Sequence, residues 1–170
     1  MIRFFEKDPY SPIQYVYDVE KILLKKKSEY QEIMVFENPY FGRVLVLDGV
    51  VQLTEKDEFF YHEMLVHPLM HSHPNPRVVT VIGGGDGGAV REVVKHESVE
   101  KVYFVEIDKE VIETSLEFFP TVSSAIKDPR VEIHNMDGAE FVRGRKNEID
   151  VVIVDSTDII GFARSLFTVE

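Results

Sequence analysis

Hydrophobic and polar positions follow two different rhythms along this chain. Residues 1–56 read as a strand-rich N-terminal β domain. Gln14–Val19 alternates loosely, Lys21–Lys27 and Gln31–Glu37 continue the pattern, and Arg43–Leu47 and Val50–Thr54 flank Asp48-Gly49. Asp-Gly between β-branched runs predicts a hairpin closed by a type I′ turn. Residues 57–76 read as a connecting helix and loop. The helix covers Asp57 to His71, with Phe60, Met64 and His67 near one face, and Ser72-His73-Pro74-Asn75-Pro76 ends it. From Arg77 to residue 170 apolar blocks alternate with helical stretches. Strands are predicted at Val78–Ile82, Lys101–Ile107, Arg130–Asn135 and Ile149–Asp155, and helices at 89–95, 109–118 and 138–143. Such alternation predicts an α/β fold with a parallel sheet.

The last predicted strand, Val151-Val152-Ile153-Val154, is apolar at every position, a pattern suited to burial on both faces. An uncovered apolar edge invites association. The expectation is therefore a sheet that continues beyond residue 170, making 77–170 an incomplete domain, with cover by a second chain as the alternative.

Gly83-Gly84-Gly85-Asp86-Gly87-Gly88 directly follows the first of these strands and opens a helix. Gly83, Gly85 and Gly88 fit G-x-G-x-x-G, where glycines allow a sharp turn and close approach to a ligand. Strand, glycine turn and helix predict a Rossmann-like, doubly wound nucleoside-binding domain. Glu106 ends the next strand at the spacing of a carboxylate that accepts from ribose hydroxyls, and Asp108 competes for that role. Asp86 argues against a dinucleotide, because its charge would repel a pyrophosphate seated on the turn's N–H groups. A nucleoside carrying positive charge and no phosphate suits it better; simple helix capping is the alternative. Asp137-Gly138 follows the third strand, where Asp137 accepts from an adenine amino group or caps the next helix.

Asp155-Ser156-Thr157-Asp158 follows the fourth strand. Aliphatic amines are protonated at neutral pH and must lose a proton before they attack. Two carboxylates on one turn can hold an ammonium, with Asp155 as the base and Asp158 as the orienting partner. An Asx turn without chemistry is the alternative.

Net charge and composition narrow the classes further. The chain has 170 residues, 44% hydrophobic, with a formal net charge of −11. That size and apolar content support a packed core. The acidic balance disfavours nucleic acid; its field attracts cations, polyamines among them, and a simple solvated surface is the alternative that suits the bulk charge better. The absence of cysteine excludes disulfides and thiol catalysis. No apolar run approaches the length of a membrane span, and the start lacks a signal-peptide core, so the cytoplasm is the expected compartment. His67, His71 and His73 lack an acid or cysteine to complete a metal set, and His62-Glu63 with His67 is one residue too long for H-E-x-x-H, so no metal is expected.

Six blocks carry a family resemblance across Tyr15 to Thr168. They are Tyr30–Ile33, Leu45–Gln52, Asp57–Met64, Gly83–Gly88, Val105–Asp108 and Asp155–Asp158. In this order they resemble the spermidine synthases, the polyamine aminopropyltransferases. The resemblance implies a class I methyltransferase-type fold behind a small β domain. It implies transfer of an aminopropyl group from decarboxylated S-adenosylmethionine to putrescine, giving spermidine and methylthioadenosine. The donor is a co-substrate; no tightly bound cofactor and no metal are implied. Gln31, Glu106, Asp137 and Gly138 then look like nucleoside contacts, and Asp86 like the partner of a cationic amine. Gln52, Tyr61, His62 and Asp158 look like amine-site residues, and Asp155 like the catalytic base. Ile159 and Phe162 stand where the family often has proline, and the Phe162 position is a candidate nucleoside contact. A homodimer or homotetramer is implied. Two other classes compete: an S-adenosylmethionine-dependent methyltransferase, and a catalytically silent assembly subunit. The acids at 86, 155 and 158 argue against the former, because a methyltransferase must admit the donor's carboxylate.

Overall fold

A computed structural model of the chain describes residues 2–8 and 11–156. Asp158, Ile159 and Phe162 lie outside the described residues. The chain divides into two units, Met1–Glu58 and Phe59–Glu170.

The first unit is antiparallel. Strands β1 (Ile2–Lys7) and β2 (Gln14–Val19) pair in one sheet. Strands β3 (Lys21–Lys27), β4 (Glu32–Asn38), β5 (Gly42–Leu47) and β6 (Val50–Thr54) form a meander in the order β3-β4-β5-β6. Strand β1 was not foreseen, since its mixed apolar and charged residues lack a clean alternation. Val19, Phe36, Val44 and Val46 make the core, with Phe4, Tyr17 and Phe41 packed on it. Asp48 (φ 48°) and Gly49 (φ 82°) are both left-handed, as a type I′ turn requires. Leu45 pairs with Leu53 and Val46 with Val51, so Gln52 is the extra residue of a β-bulge. Bulges re-aim a side chain, here the exposed Gln52. Gln31 closes the turn before β4, where Ser28 Oγ accepts from its N–H at 3.1 Å.

The second unit opens on α1 (Glu58–Ser72). Its buried stripe is His62, Val66 and Met70, at i, i+4 and i+8. This corrects the expected apolar face: Phe60 and Met64 are 66% and 72% exposed. A histidine heads the buried stripe because it faces the acids described below, so hydrophobicity alone selected the wrong side.

Strands β7 (Val78–Gly83), β8 (Lys101–Val105), β9 (Val131–His134) and β10 (Val151–Asp155) form a parallel sheet in the order β10-β7-β8-β9. Helices α2 (Gly88–Val94), α3 (Lys109–Phe118) and α4 (Gly138–Val142) alternate with them, and Ser123–Lys127 adds a 3-10 turn before β9. The doubly wound, methyltransferase-type α/β fold behind an antiparallel β domain is the observed architecture. On one face Val79 and Val81 align with Val102 and Phe104 and with Val151 and Ile153. These six join Val66, Met70, Val90, Val93 and Ile112 in one buried cluster. Strand β10 departs from expectation: Val152 and Val154 are 42% and 38% exposed, so only one of its faces is buried among the described residues. It is the edge strand of the described sheet, and its alternate side chains have no described layer over them.

Candidate active site

The order in which strands are added reverses between β7 and β10, although all run parallel. From β7 the connection to β8 runs one way, and β10 lies on the other side. Ligands in such sheets bind at the carboxyl ends beside this switch point. Asp155 ends β10 and pairs with Gly83, the last residue of β7. Both Gly83 (φ 77°) and Gly84 (φ 65°) are left-handed. A Cβ on Gly83 would strike the Asp155 carbonyl oxygen, and one on Gly84 would stand 2.5 Å from Asp155 Oδ2. The glycines therefore let the turn lie directly against the catalytic candidate.

Asp155 is buried, and its two oxygens have different surroundings. Oδ1 accepts from the Tyr61 hydroxyl at 2.9 Å. Oδ2 has no hydrogen-bond partner and faces His62 Nε2 at 3.9 Å. Burial and then the neighbouring Asp86 push the Asp155 carboxyl up to about 6, against the opposing pull of His62 and Tyr61. Burial and the same carboxylate push the Tyr61 hydroxyl well above its ordinary value, so it stays a donor.

Asp86 Oδ1 accepts from Gly88 N–H at 2.7 Å and lies 3.3 Å from His62 Nε2. Its alternative role as a cap on the turn is thus realised, and the same oxygen also faces the imidazole. Gly87 is the N-cap residue of α2, in a left-handed conformation. Gly88 makes room for His62, whose ring occupies the space a Cβ there would need. Tyr61 and His62 come from one helix, Asp86 from the turn after β7, and Asp155 from the end of β10.

Glu106 follows β8 and is buried; its Oε1 accepts from Asp108 N–H at 2.8 Å. Gly85 lies against it, since a Cβ there would be 3.2 Å from Glu106 Cγ. Asp108, its competitor in the sequence, is the N-cap of α3 and accepts from Glu110 N–H at 3.1 Å. Asp137 caps α4, accepting from Ala139 N–H at 2.7 Å and Glu140 N–H at 3.2 Å, and Gly138 begins that helix. Asn135 was not foreseen; its side-chain N–H donates to the Glu106 carbonyl at 3.1 Å and ties the chain after β9 to this corner. Gln31 and Gln52 belong to the first unit. Three other histidines gather apart from this site: His67 Nδ1 is 3.0 Å from His96 Nε2, and His71 Nδ1 is 2.7 Å from the His67 carbonyl. Contrary to expectation an acid does join them, since His67 Nε2 lies 3.1 Å from the buried Glu92, a residue distant in sequence.

Burial raises the Glu106 carboxyl to about 7, with Asp108, Asp86 and Asp155 adding repulsion. A folded value above the unfolded one means that folding favours the protonated form. This contribution is complete below the unfolded value near 4.3 and is lost as pH rises through 7. Replacing Glu106 by Gln removes the ionisation and keeps an acceptor for Asp108 N–H. The variant is expected to match the wild type near pH 3.5, where both states are protonated, and to exceed its unfolding free energy by roughly 3–4 kcal/mol at pH 8, read from denaturant titrations. A difference that does not change with pH would show that Glu106 ionises as freely in the fold as out of it.

The geometry defines a class before it defines a family: a Rossmann-like domain whose crevice is lined by acids where dinucleotide enzymes seat phosphate. Residues 58–170 match the spermine/spermidine synthase domain, and residues 2–55 the spermidine synthase tetramerisation domain. The chain belongs to the spermine/spermidine synthase family. It is 58% identical over 169 residues to a polyamine aminopropyltransferase of Hydrogenobaculum sp. (strain Y04AAS1), covering 99% of this chain and 60% of that protein. It is likewise 58% identical over 167 residues to polyamine aminopropyltransferase 1 of Aquifex aeolicus (strain VF5), covering 98% of this chain and 60% of that protein. A spermidine synthase solved with the transition-state analogue AdoDATO superposes with a TM-score of 0.96 at 46% identity, over 98% of this chain and 57% of its own. The spermidine synthase of Thermotoga maritima gives 0.93 at 46% identity, over 99% and 57%. The chain thus spans about 60% of the length of these curated relatives. No helix among the described residues is long and apolar enough to cross a membrane.

Proposed function

We propose that this chain binds decarboxylated S-adenosylmethionine as a co-substrate and uses Asp155 to deprotonate putrescine for aminopropyl transfer. The observation that carries the reading is the asymmetry of Asp155: one oxygen is held by Tyr61 and the other is buried without a donor. An amine N–H supplies that missing donor.

In the proposed reaction the putrescine ammonium gives a proton to Asp155. The neutral nitrogen then attacks the aminopropyl carbon bonded to the sulfonium. The C–N bond forms, the C–S bond breaks, and its electron pair leaves on neutral methylthioadenosine. The sulfonium is already an activated leaving group, so the protein's task is to position and deprotonate. An ordinary carboxyl near 3.9 is about 6.5 units below an alkyl ammonium near 10.4. Burial and the neighbouring Asp86 lift Asp155 to about 6, which narrows that gap and makes it a stronger base than an ordinary carboxylate.

Glu106 is assigned to the donor's ribose hydroxyls, with Gly83 and Gly85 shaping the turn beside it. Asp137 and Gly138 are assigned to the adenine side, Asp137 doing so while capping α4. Asp86 is assigned to the cationic chain of donor or amine, and Tyr61 and His62 to the amine pocket. Gln31 and Gln52 in the first unit, and Asp158 and Phe162 beyond the described residues, keep the roles the family resemblance implies. The match to the tetramerisation domain supports a homo-oligomer assembled through residues 2–55, and a cytoplasmic compartment follows the enzyme reading.

The test is incubation with decarboxylated S-adenosylmethionine and a panel of amines, with methylthioadenosine read by chromatography. Release that depends on putrescine is expected. Donor consumption indifferent to every amine offered would remove aminopropyl transfer from this site.

A further inference from the structure

His62, Asp86 and Asp155 place one ligand atom each within 4.8 Å of one another, the one such grouping among the described residues. His62 Nε2 is 3.3 Å from Asp86 Oδ1 and 3.9 Å from Asp155 Oδ2. A tetrahedral ion bonded at about 2.0–2.2 Å to nitrogen and oxygen separates its ligands by roughly 3.3–3.5 Å. The first distance fits already, and the second needs a shift of about half an ångström. Asp155 Oδ2 is buried and unpartnered, so one carboxylate oxygen already points inward with nothing to hold. The opposite oxygen is fixed by Tyr61, as ligating carboxylates are fixed by outer partners.

We propose that these three side chains form a binding site for a divalent transition ion of the Zn2+ class, with a fourth position open. Two carboxylates balance the ion's charge. The imidazole selects Zn2+ or Co2+ over Mg2+ and Ca2+, which demand oxygen ligands. The ligands come from α1, from the turn after β7 and from the end of β10, so the folded unit assembles the site. An ion seated there takes the Asp155 oxygen that the amine would use; this consequence alone rests on the function proposed above. Zn2+ is then an inhibitor competing with putrescine and not a participant in the reaction.

The experiment is calorimetric titration of the whole chain with ZnCl2 in chelator-treated buffer. One Zn2+ per chain is expected, with no matching heat from MgCl2. Asp155→Asn and His62→Gln should each weaken it by at least about tenfold, with circular dichroism showing that both variants remain folded. His71→Ala should leave it unchanged, because the rival cluster of His67, His71 and His96 lies outside the triad. Zn2+ binding that survives both triad substitutions, or that disappears with His71→Ala, overturns the proposal. A repeat with putrescine present separates the two readings. A rise in apparent Kd supports both. Triad-dependent Zn2+ binding that putrescine leaves untouched keeps the metal site and removes the amine from Asp155.

Discussion

Replacing Asp155 by Asn is expected to reduce putrescine-dependent methylthioadenosine release by about 10²–10⁴-fold, the range for losing a positioned general base. The substitution preserves shape. Asn can still accept from the Tyr61 hydroxyl, now 2.9 Å from Oδ1, so the end of β10 should keep its place. What disappears is the group that takes the proton, together with the charge that attracts the ammonium. Donor affinity should change little, because the proposed nucleoside contacts are Glu106 and the glycine turn, not Asp155. The split is diagnostic: a loss confined to turnover means that the interaction matters in the transition state, whereas a loss of donor binding means that Asp155 is structural. Raising the pH should separate them further. Asp155 is held near 6, so wild-type activity should rise through that pH as the carboxylate forms, and the Asn variant should lack this limb. Steady-state rates from pH 5 to 8 on both proteins test it. Equal profiles would take Asp155 out of the proton transfer.

Gly83→Ala is expected to lower the unfolding free energy by about 2–5 kcal/mol, the sum of a left-handed backbone penalty of about 1–2 and an overpacking penalty of about 1–3. The new methyl meets the Asp155 carbonyl, which is backbone in the adjacent parallel strand and cannot rotate away. Either β10 or the turn must move, and both carry the site. Gly144→Ala isolates the first contribution, since Gly144 is also left-handed (φ 85°) and a Cβ there would meet nothing within 4 Å. Denaturant midpoints should therefore fall further for Gly83→Ala than for Gly144→Ala. Equal losses would mean that the turn does not press on β10.

The parallel sheet was legible because its strands are nearly continuous apolar runs bounded by glycine, proline and acids. Val78–Ile82 and Val151–Val154 could be little else. The type I′ turn was legible because Asp48-Gly49 is a local signal. Strand β1 was not, because it is held by pairing to β2 and by Phe4 on Tyr17 and Phe36. Helix α1 was legible as a helix, but its buried face was read wrongly. Its inward position is taken by His62, whose surroundings are Asp86 and Asp155, far away in sequence. Motif reasoning found Tyr61, His62 and Asp155 separately. It did not foresee that the Tyr61 hydroxyl donates to Asp155. A hydrogen bond across 94 positions leaves no periodic trace in the chain. Both local alternatives for Asp86 and Asp137 were present in the sequence, and both acids do bond helix-start N–H groups.

The central claim is that the acids beside the glycine turn select a positively charged nucleoside without an anionic tail. Paired calorimetric titrations with decarboxylated S-adenosylmethionine and with S-adenosylmethionine test it most directly. Two carboxylates about 8 Å apart repel by roughly 2 kcal/mol at an effective dielectric near 20, so if Asp86 faces the donor's tail the decarboxylated form should bind more than about tenfold tighter. Asp86→Asn should narrow that ratio. Equal affinities, or tighter binding of the carboxylated donor, would contradict the account.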